Sequence, residues 1–383
     1  MKLEISQRGM ADFDKGDWNR VSGVDYPFLR YEFLSALETQ GCVGEQHGWI
    51  PQHMAAYDDQ NQLTGLLPFY LKNNSYGEFV FDWSWADAYQ RNGLPYYPKG
   101  LVSVPYTPAK GPRILTHTDC DEPETKKQLI ELSTTFATEQ HLSSLHFLFL
   151  EKADREQFNN EVWLQRSDIQ FHWENRNYTN FDDFLSRLNS RKRKKIKRER
   201  RQVVEAGIDI QVVSGSDMTE EQWRIMHEFY CSTFDKKSGY PTFSLSFFQE
   251  ISATMGSQIV LIFAYHESKA VAGAIFFRSN DTLYGRHWGC NEEFHSLHFE
   301  VCYYQGIEYC IQQGLQRFEP GAQGEHKISR GFLPMKTHSM HWIAHDDFRR
   351  AINRHLVQER HAINEYYSTL QKQSPYKTAL DRQ

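Results

Sequence analysis

Two stretches of this chain match each other in register, and that constrains its fold more than any other feature. TGLLPFYLKNNSYG (64–77) and AGAIFFRSNDTLYG (272–285) align without a gap, so Gly65 and Gly273, Phe69 and Phe277, Tyr76 and Tyr284, and Gly77 and Gly285 coincide. Each run reads as strand, polar turn, strand. An apolar strand precedes each one, HMAAYD (53–58) and IVLIFAYH (259–266), and a helix follows each. Internal repetition on this scale predicts a duplicated α/β unit. A length of 383 residues, too much for one ordinary core, agrees with two domains.

The helical material falls in matching places. PFLRYEFLSALET (27–39) carries apolar residues at helical spacing. TEEQWRIMHEFYCSTF (219–234) opens with a capping box, Thr219 as N-cap and Gln222 three positions on, with Glu220 and Glu221 in the first turn. TKKQLIELSTTFATEQ (125–140) and FEVCYYQGIEYCIQQG (299–314) follow the repeated runs, and LSSLHFLFLE (142–151) and RFEPG (317–321) return as strands. Helix, strands, helix, strand in both halves predicts an α/β (α+β) fold, each half a mixed sheet with flanking helices. From Phe348 the chain reads as a further helix with a polar tail.

Between the halves, FDDFLSRLNSRKRKKIKRERRQVVEAGIDIQVV (181–213) keeps an apolar stripe of Leu185, Leu188, Ile196 and Val203, with Gly207 as a helix stop. Around that stripe sit ten cations within residues 187–201, relieved by Glu199 alone. Solvated helix faces normally interleave acids. This density suits contact with phosphates, each neutralised by one cation. The whole chain is acidic, with a formal net charge of −6, so attraction to a polyanion must be local.

Residues 317–332, RFEPGAQGEHKISRGF, concentrate chemistry. The backbone between Gly321 and Gly324 is almost bare and can approach a ligand closely. Glu319, Gln323, Glu325, His326, Lys327 and Arg330 then offer a base, a proton shuttle and cationic donors within a dozen positions.

Other classes find no support in the sequence. There is no G-x-S-x-G elbow and no G-x-x-x-x-G-K-[ST] loop. His287, Cys290, His295 and His298 match no common zinc spacing, so no metal is expected. Six scattered cysteines without a C-x-x-C read as reduced thiols. Neither a signal-like N-terminus nor a window of about 20 apolar residues appears, so a cytoplasmic protein without integral membrane association is expected. The aromatic-rich stretch FDWSWADAYQRNGLPYYPKG (81–100) reads as core packing, or as a platform for a sugar, base or peptide with Glu78, Asp82 and Lys99 as polar contacts.

With these features in view, the chain resembles the FemAB-like proteins, predicted N-acyltransferases named for peptidoglycan biosynthesis or recognition. The strings that carry the resemblance are HGWIPQHM (47–54), NSYGEFVFDWSWADAY (74–89), YYPKG (96–100), GPRIL (111–115), FHWENRNY (171–178), SRKRKKIKRERR (190–201), LYGRHWGC (283–290), LHFEVCYYQGIEY (297–309) and the run at 317–332. The resemblance implies two tandem GNAT-like domains, at 1–178 and 207–345, joined by the basic helix at 179–206, with a C-terminal helix and tail at 346–383. It also implies transfer of an acyl or aminoacyl group to an amine, with a peptidoglycan-related precursor or peptide as one acceptor. Acetyl-CoA sites in GNAT domains use a Q/R-x-x-G-x-G/A loop at a helix N-terminus. The corresponding stretches here, CNEEFHSLHFE (290–300) and SWADAYQRNG (84–93), lack that pattern. Aminoacyl-tRNA is therefore the favoured donor, and no tightly bound cofactor is expected. Acyl-CoA with a non-standard cradle is one alternative, and a non-catalytic module that binds RNA or muropeptide is another. On this reading Glu325 or His326 is the base, Lys327 and backbone amides near Gly321 and Gly324 face the oxyanion, and Tyr284 or His326 protonates the leaving group. Arg286, Glu300, Tyr304, Glu319, Gln323 and Arg330 position substrate, and Lys192, Lys195 and Arg198 hold donor phosphates.

Overall fold

The structure, a computed structural model, describes residues 2–5, 8–235, 239–322 and 324–377. Its strands are β1 (Lys2–Ile5), β2 (Trp49–Pro51), β3 (Met54–Tyr57), β4 (Leu63–Leu67), β5 (Phe69–Lys72), β6 (Lys99–Val102), β7 (Leu115–Thr116), β8 (Ser144–Phe147), β9 (Leu164–Glu174), β10 (Ile208–Ser214), β11 (Ile259–His266), β12 (Lys269–Arg278), β13 (Thr282–Cys290), β14 (Arg317–Glu319) and β15 (Leu333–Ile343). Its helices are α1 (Lys15–Ser22), α2 (Tyr31–Thr39), α3 (Trp83–Arg91), α4 (Glu122–Glu139), α5 (Lys152–Arg155), α6 (Phe181–Ser186), α7 (Ser190–Glu205), α8 (Glu220–Asp235), α9 (Leu245–Met255), α10 (Leu297–Phe299), α11 (Gln305–Gln313) and α12 (Asp346–Gln371), with a π-helical turn at Glu300–Tyr304 between α10 and α11.

The chain forms two compact units, Met1–Asp168 with Lys336–Tyr366, and Ile169–Met335 with Tyr367–Gln383. These limits differ from those drawn on the sequence. The chain passes between units within β9, β15 and α12, so the basic segment is part of the second unit and most of α12 is part of the first.

The duplication is visible in the pairing. In the first unit β6 and β8 run parallel through Gly100↔Leu145, Leu101↔His146 and Val102↔Phe147, linked by α4. In the second unit β13 and β14 run parallel through Thr282↔Arg317, Leu283↔Phe318 and Tyr284↔Glu319, linked by the helical stretch 297–313. The pairs β2·β5, β5·β6 and β8·β15 in the first unit and β10·β11, β11·β12, β12·β13 and β9·β14 in the second are antiparallel. A separate sheet in the first unit has the order β1-β3-β4-β7.

The repeat departs from expectation in one place. At 272–285 the hairpin forms, with its turn closed by Ser279 N–H to Thr282 O at 2.9 Å. At 64–77 no second strand follows; the chain leaves the sheet after Lys72 and returns at Lys99, with α3 in between. Gly77 (φ +79°) and Phe79 (φ +60°) take left-handed conformations that a strand cannot accommodate. The excursion closes over buried charges, described below.

Local signals otherwise fold as their chemistry dictates. Thr219 and Gln222 complete the capping box, Thr219 N–H donating to Gln222 Oε1 at 3.0 Å and Gln222 N–H to Thr219 Oγ1 at 3.2 Å. Ile259 to Ala264 of β11 are all buried, as a continuous apolar run requires of a strand covered on both faces. At Gly289 a Cβ would lie 1.7 Å from Phe229 O, so only glycine lets α8 approach β13 this closely. The core of the first unit gathers Met54, Leu67, Phe69, Leu129, Phe147 and Trp163. A second cluster joins Trp85, Tyr89 and Tyr96 to Ile352 and Leu356 of α12.

The basic segment is two helices rather than one. Asn189 accepts from Lys192 N–H at 3.0 Å and caps α7, so the chain turns between Ser186 and Ser190. Gly207 at φ +73° ends α7 as expected. The buried face of α7 is Ile196, Glu199 and Val203, so its apolar stripe contains a carboxylate.

Candidate functional site

The second unit assembles most of the residues singled out from the sequence around the end of β14. After Tyr284↔Glu319 the parallel pairing stops, β14 ends at Glu319, and β13 continues to Cys290. Phe276 pairs with Gly285 and Ile275 with His287, so Arg286 is the extra residue of a β-bulge beside this opening. Tyr284 is buried and Arg286 half-buried. Glu319 is buried, its Oε1 3.7 Å from His172 Nδ1.

Beyond Pro320 the loop passes through Gly321 (φ +82°) and Gly324 (φ +111°) into a 3-10 turn, Glu325–Arg330. Lys327 points inward and is 2% exposed. Its Nζ donates to the carbonyls of Pro320 (3.3 Å), Gly321 (2.9 Å) and Ala322 (3.0 Å). Burial pulls its pKa down to about 8, offset in part by the nearby Cys302 thiol. An ammonium has three protons, and all three are engaged. The expectation that Lys327 itself faces an oxyanion does not match this geometry. Gln323 lies outside the described residues.

Glu325 and His326 are exposed. His326 Nε2 lies 3.0 Å from Tyr303 Oη, with the rings of Phe299 and Tyr303 alongside. Burial and then the charges of Arg330, Lys327 and Lys195 lower the His326 pKa, so the imidazole is unprotonated at neutral pH.

Arg330 is 1% exposed and joins this turn to α7. Its Nη2 donates to Glu199 Oε1 at 2.9 Å and Oε2 at 3.1 Å, Nε to Tyr304 Oη at 3.1 Å, and Nη1 to His326 O at 2.9 Å. Tyr304 also donates to Glu199, and the guanidinium stacks 3.3 Å from the centre of the Phe299 ring. Burial, joined by the Glu199 carboxylate, raises the Tyr304 pKa and keeps its proton in place. Glu300 accepts from Arg200 Nε at 3.1 Å, while Arg200 Nη2 also reaches Glu308 at 2.8 Å. Arg330, Tyr304 and Glu300, expected to position substrate, are thus engaged in holding the site's own helices. Glu199 and Tyr303 were not singled out as site residues. The only available signal was Glu199 as the one acid in a cationic run.

The outward face of α7 is not spent in the same way. Lys197 pairs with Asp182, Arg201 with Glu205 and Arg200 with Glu300 and Glu308. Among the described residues Arg191, Lys194 and Arg198 have no ion-pair partner. All three are exposed and share one face at i, i+3, i+7. Of the expected phosphate ligands only Arg198 belongs to this row. Lys192 and Lys195 are half-buried, and Lys195, 3.8 Å from Glu199, adds its field to His326.

Glu78, Asp82 and Lys99 come together in the first unit. Lys99 is fully buried, 2.8 Å from Glu78 Oε2 and 2.9 Å from Ser75 Oγ, and it also donates to Asp82. Tyr96 Oη donates to Asp82 at 2.6 Å. Lys72, also fully buried, lies 4.0 Å from Glu78 and 4.0 Å from the centre of the Trp49 ring. Burial raises the Glu78 pKa to about 7 and lowers that of Lys72 to about 7. For Asp82 burial acts upward, but the charges of Lys99 and His146 outweigh it and hold the pKa at about 2. Such a cluster is a structural ion network in this conformation, since none of its charged groups is open to solvent.

In the cysteine- and histidine-bearing stretch 287–298, His287 packs on Tyr230 and Phe243, and His298 Nδ1 lies 3.4 Å from Cys302 Sγ. Among the described residues no group of three or more metal-ligating side chains converges. The six cysteines form no disulfide. No described helix is long and apolar enough to cross a membrane.

Two duplicated units, each with a short parallel strand pair spanned by a helix, make a mixed α/β fold of the tandem GNAT-like kind. The chain belongs to the FemAB-like family, described as peptidoglycan biosynthesis/recognition, whose model matches residues 9–378. No curated protein matches the sequence. The fold is similar to the crystal structure of FemX, with TM-score 0.55 and 10% identity over 91% of this chain and 100% of that one. It is also similar to L-PGS from Bacillus licheniformis, with TM-score 0.50 and 9% identity over 82% and 90%. A third likeness is to the C-terminal domain of a putative lysylphosphatidylglycerol synthetase from Agrobacterium fabrum, with TM-score 0.54 and 8% identity over 89% and 96%.

Proposed function

We propose that this protein is an N-acyltransferase that moves an aminoacyl group from aminoacyl-tRNA to an amine, with a peptidoglycan-related precursor or peptide as acceptor. One observation carries this reading: the Glu199–Arg330 pair locks the cationic helix α7 to the turn that bears His326. A phosphate-binding row and a neutral, exposed imidazole therefore belong to one rigid assembly. Arg191, Lys194 and Arg198 hold donor phosphates by charge. In the tautomer that donates Nε2–H to Tyr303, the Nδ1 lone pair takes the proton from the attacking amine, which suits an imidazole kept unprotonated by its neighbours. His326 is preferred to Glu325 because Tyr303 and the flanking rings orient it. The start of the helix after β13 supports a polyanionic donor over acetyl-CoA. Ser296 is left-handed at φ +68°, and three α-helical residues give way to the π turn, a poor cradle for a pyrophosphate.

The test is transfer of a radiolabelled aminoacyl group from a charged tRNA mixture to amine acceptors, beside the same assay with acetyl-CoA. Transfer from tRNA that falls at least about 100-fold in His326→Gln is expected. Transfer from acetyl-CoA alone would replace the donor. High-affinity RNA or muropeptide binding without transfer from either donor would make the chain a binding module.

A further inference from the structure

Residues 374–377 follow α12 and belong to the second unit, where they run beside the link between α6 and α7. Asn189 N–H donates to Pro375 O at 2.9 Å and Lys377 N–H to Arg187 O at 2.9 Å, with Leu188 and Tyr376 as the antiparallel bridge between them. This segment thereby pins Asn189, the residue that caps α7, just before the exposed cation row begins at Arg191.

The Tyr376 side chain reaches a second element. Its Oη donates to Gly331 O at 2.8 Å. Gly331, at φ +102°, closes the 3-10 turn that bears His326, its own N–H donating to Ile328 O at 3.1 Å. A Cβ at Gly331 would lie 2.8 Å from the Phe184 ring and 3.3 Å from Tyr376 Oη, so glycine lets the turn seat against both. The Arg176 guanidinium sits 4.5 Å from the centre of the Tyr376 ring, and the Phe184 ring meets it edge-on at 6.5 Å. Burial pushes the Tyr376 pKa well up, so the phenol keeps the proton it donates. One tyrosine thus ties the start of α7 to the end of the turn, separately from the Glu199–Arg330 pair.

We propose that Tyr376 is a positioning residue for the candidate site: through Gly331 and the bridge to Leu188 it fixes the His326 turn against the start of the cationic helix. This rests on the acyl-transfer reading, in which His326 takes the proton of an amine while α7 holds the donor. Tyr376 touches no reacting atom. A displacement of about 1 Å in a catalytic group costs up to about 10²-fold in rate, so a bond remote from the chemistry is felt in turnover.

The experiment compares full-length Tyr376→Phe, which keeps the ring and loses the hydroxyl that donates to Gly331 O, with Tyr376→Ala. The readout is an NMR pH titration of the His326 ring, which needs no substrate. In the wild type burial lowers the His326 pKa first, then the charges of Arg330 and Lys327 on its own turn and of Lys195 on α7, while Tyr303 Oη holds Nε2. A turn released from Tyr376 moves away from that burial and from Lys195. The His326 pKa should therefore rise toward the ordinary histidine value in Tyr376→Phe, and further in Tyr376→Ala. The Asn189 amide, bonded to Pro375 O, should also exchange faster in Tyr376→Ala. A His326 titration unmoved in both variants would overturn the proposal. In the transfer assay kcat should fall about tenfold in Tyr376→Phe and about 10²-fold in Tyr376→Ala, with donor KM within about threefold of wild type. A rise in KM at constant kcat would overturn it as well. A His326 shift in both variants of a protein that transfers from neither tRNA nor acetyl-CoA would leave the positioning standing and remove the acyl-transfer reading.

Discussion

Replacing Arg330 by methionine tests how the candidate site is held together. The side chain is 1% exposed, and its partner Glu199 is 5% exposed. The substitution removes two charge-assisted bonds to Glu199, one to Tyr304 Oη and one to His326 O. Glu199 would be left with the Tyr304 hydroxyl and with Lys195 at 3.8 Å on a half-exposed side chain. Breaking one side of a buried pair leaves an uncompensated charge and costs about 3–5 kcal/mol. Replacing both partners removes that charge, so Glu199→Met with Arg330→Met should come within about 2 kcal/mol of wild type. The interaction energy of the double-mutant cycle should then exceed about 2 kcal/mol. Because two units can unfold separately, amide hydrogen exchange across α7 is the appropriate measurement. A cost below about 1 kcal/mol for Arg330→Met, or a double variant that merely sums the single losses, would refute the reasoning. Arg330 would then be available for substrate, and its loss would appear in KM with α7 protection unchanged.

Three further outcomes follow from the same physics. Changing Arg191, Lys194 and Arg198 together to glutamine should reduce the slope of log K against log salt for tRNA by about 2–3, while Lys197→Gln, already paired with Asp182 at 3.0 Å, changes it little; filter binding across a salt series decides between them. Lys99→Met should destabilise the first unit by about 3–5 kcal/mol at pH 7 by stranding Glu78 and Asp82. Both carboxyls would then have raised folded-state pKa values, so the variant's stability should fall as pH rises, and a deficit no smaller at pH 4.5 than at pH 7 in urea unfolding would contradict this. Burial pushes the Glu32 pKa up, but hydrogen bonds from Arg30, its own backbone, Asn19 and Lys15 prevail and bring it from 4.5 to about 2. Its contribution, about 3 kcal/mol, is present above pH 4.5 and lost as pH falls from 4.5 to 2. Thermal unfolding of Glu32→Gln and wild type should differ at pH 7 and converge near pH 2.

Much was legible from sequence where the cause is local. Thr219 and Gln222 specify their own cap, Gly207 its own helix stop, and the apolar run at 259–264 its own burial, because each depends on neighbours a few positions away. The in-register repeat indicated two like units, and the crowding of Glu325, His326 and Lys327 drew attention to the turn on which the proposed function is built. What only the tertiary structure decided is which charges face each other. Glu199 and Arg330 are 131 positions apart, and Lys99 and Glu78 are separated by a helix and a turn. No periodicity can announce that Glu199, an acid in a basic helix, is buried against an arginine of a distant loop. The role of Lys327 inverted for the same reason. Its charge is written in the sequence, but whether an ammonium looks outward at substrate or inward at three carbonyls depends on where the fold places Pro320, Gly321 and Ala322. Burial makes each such choice energetically decisive, because a charge removed from water must find its partners within the fold.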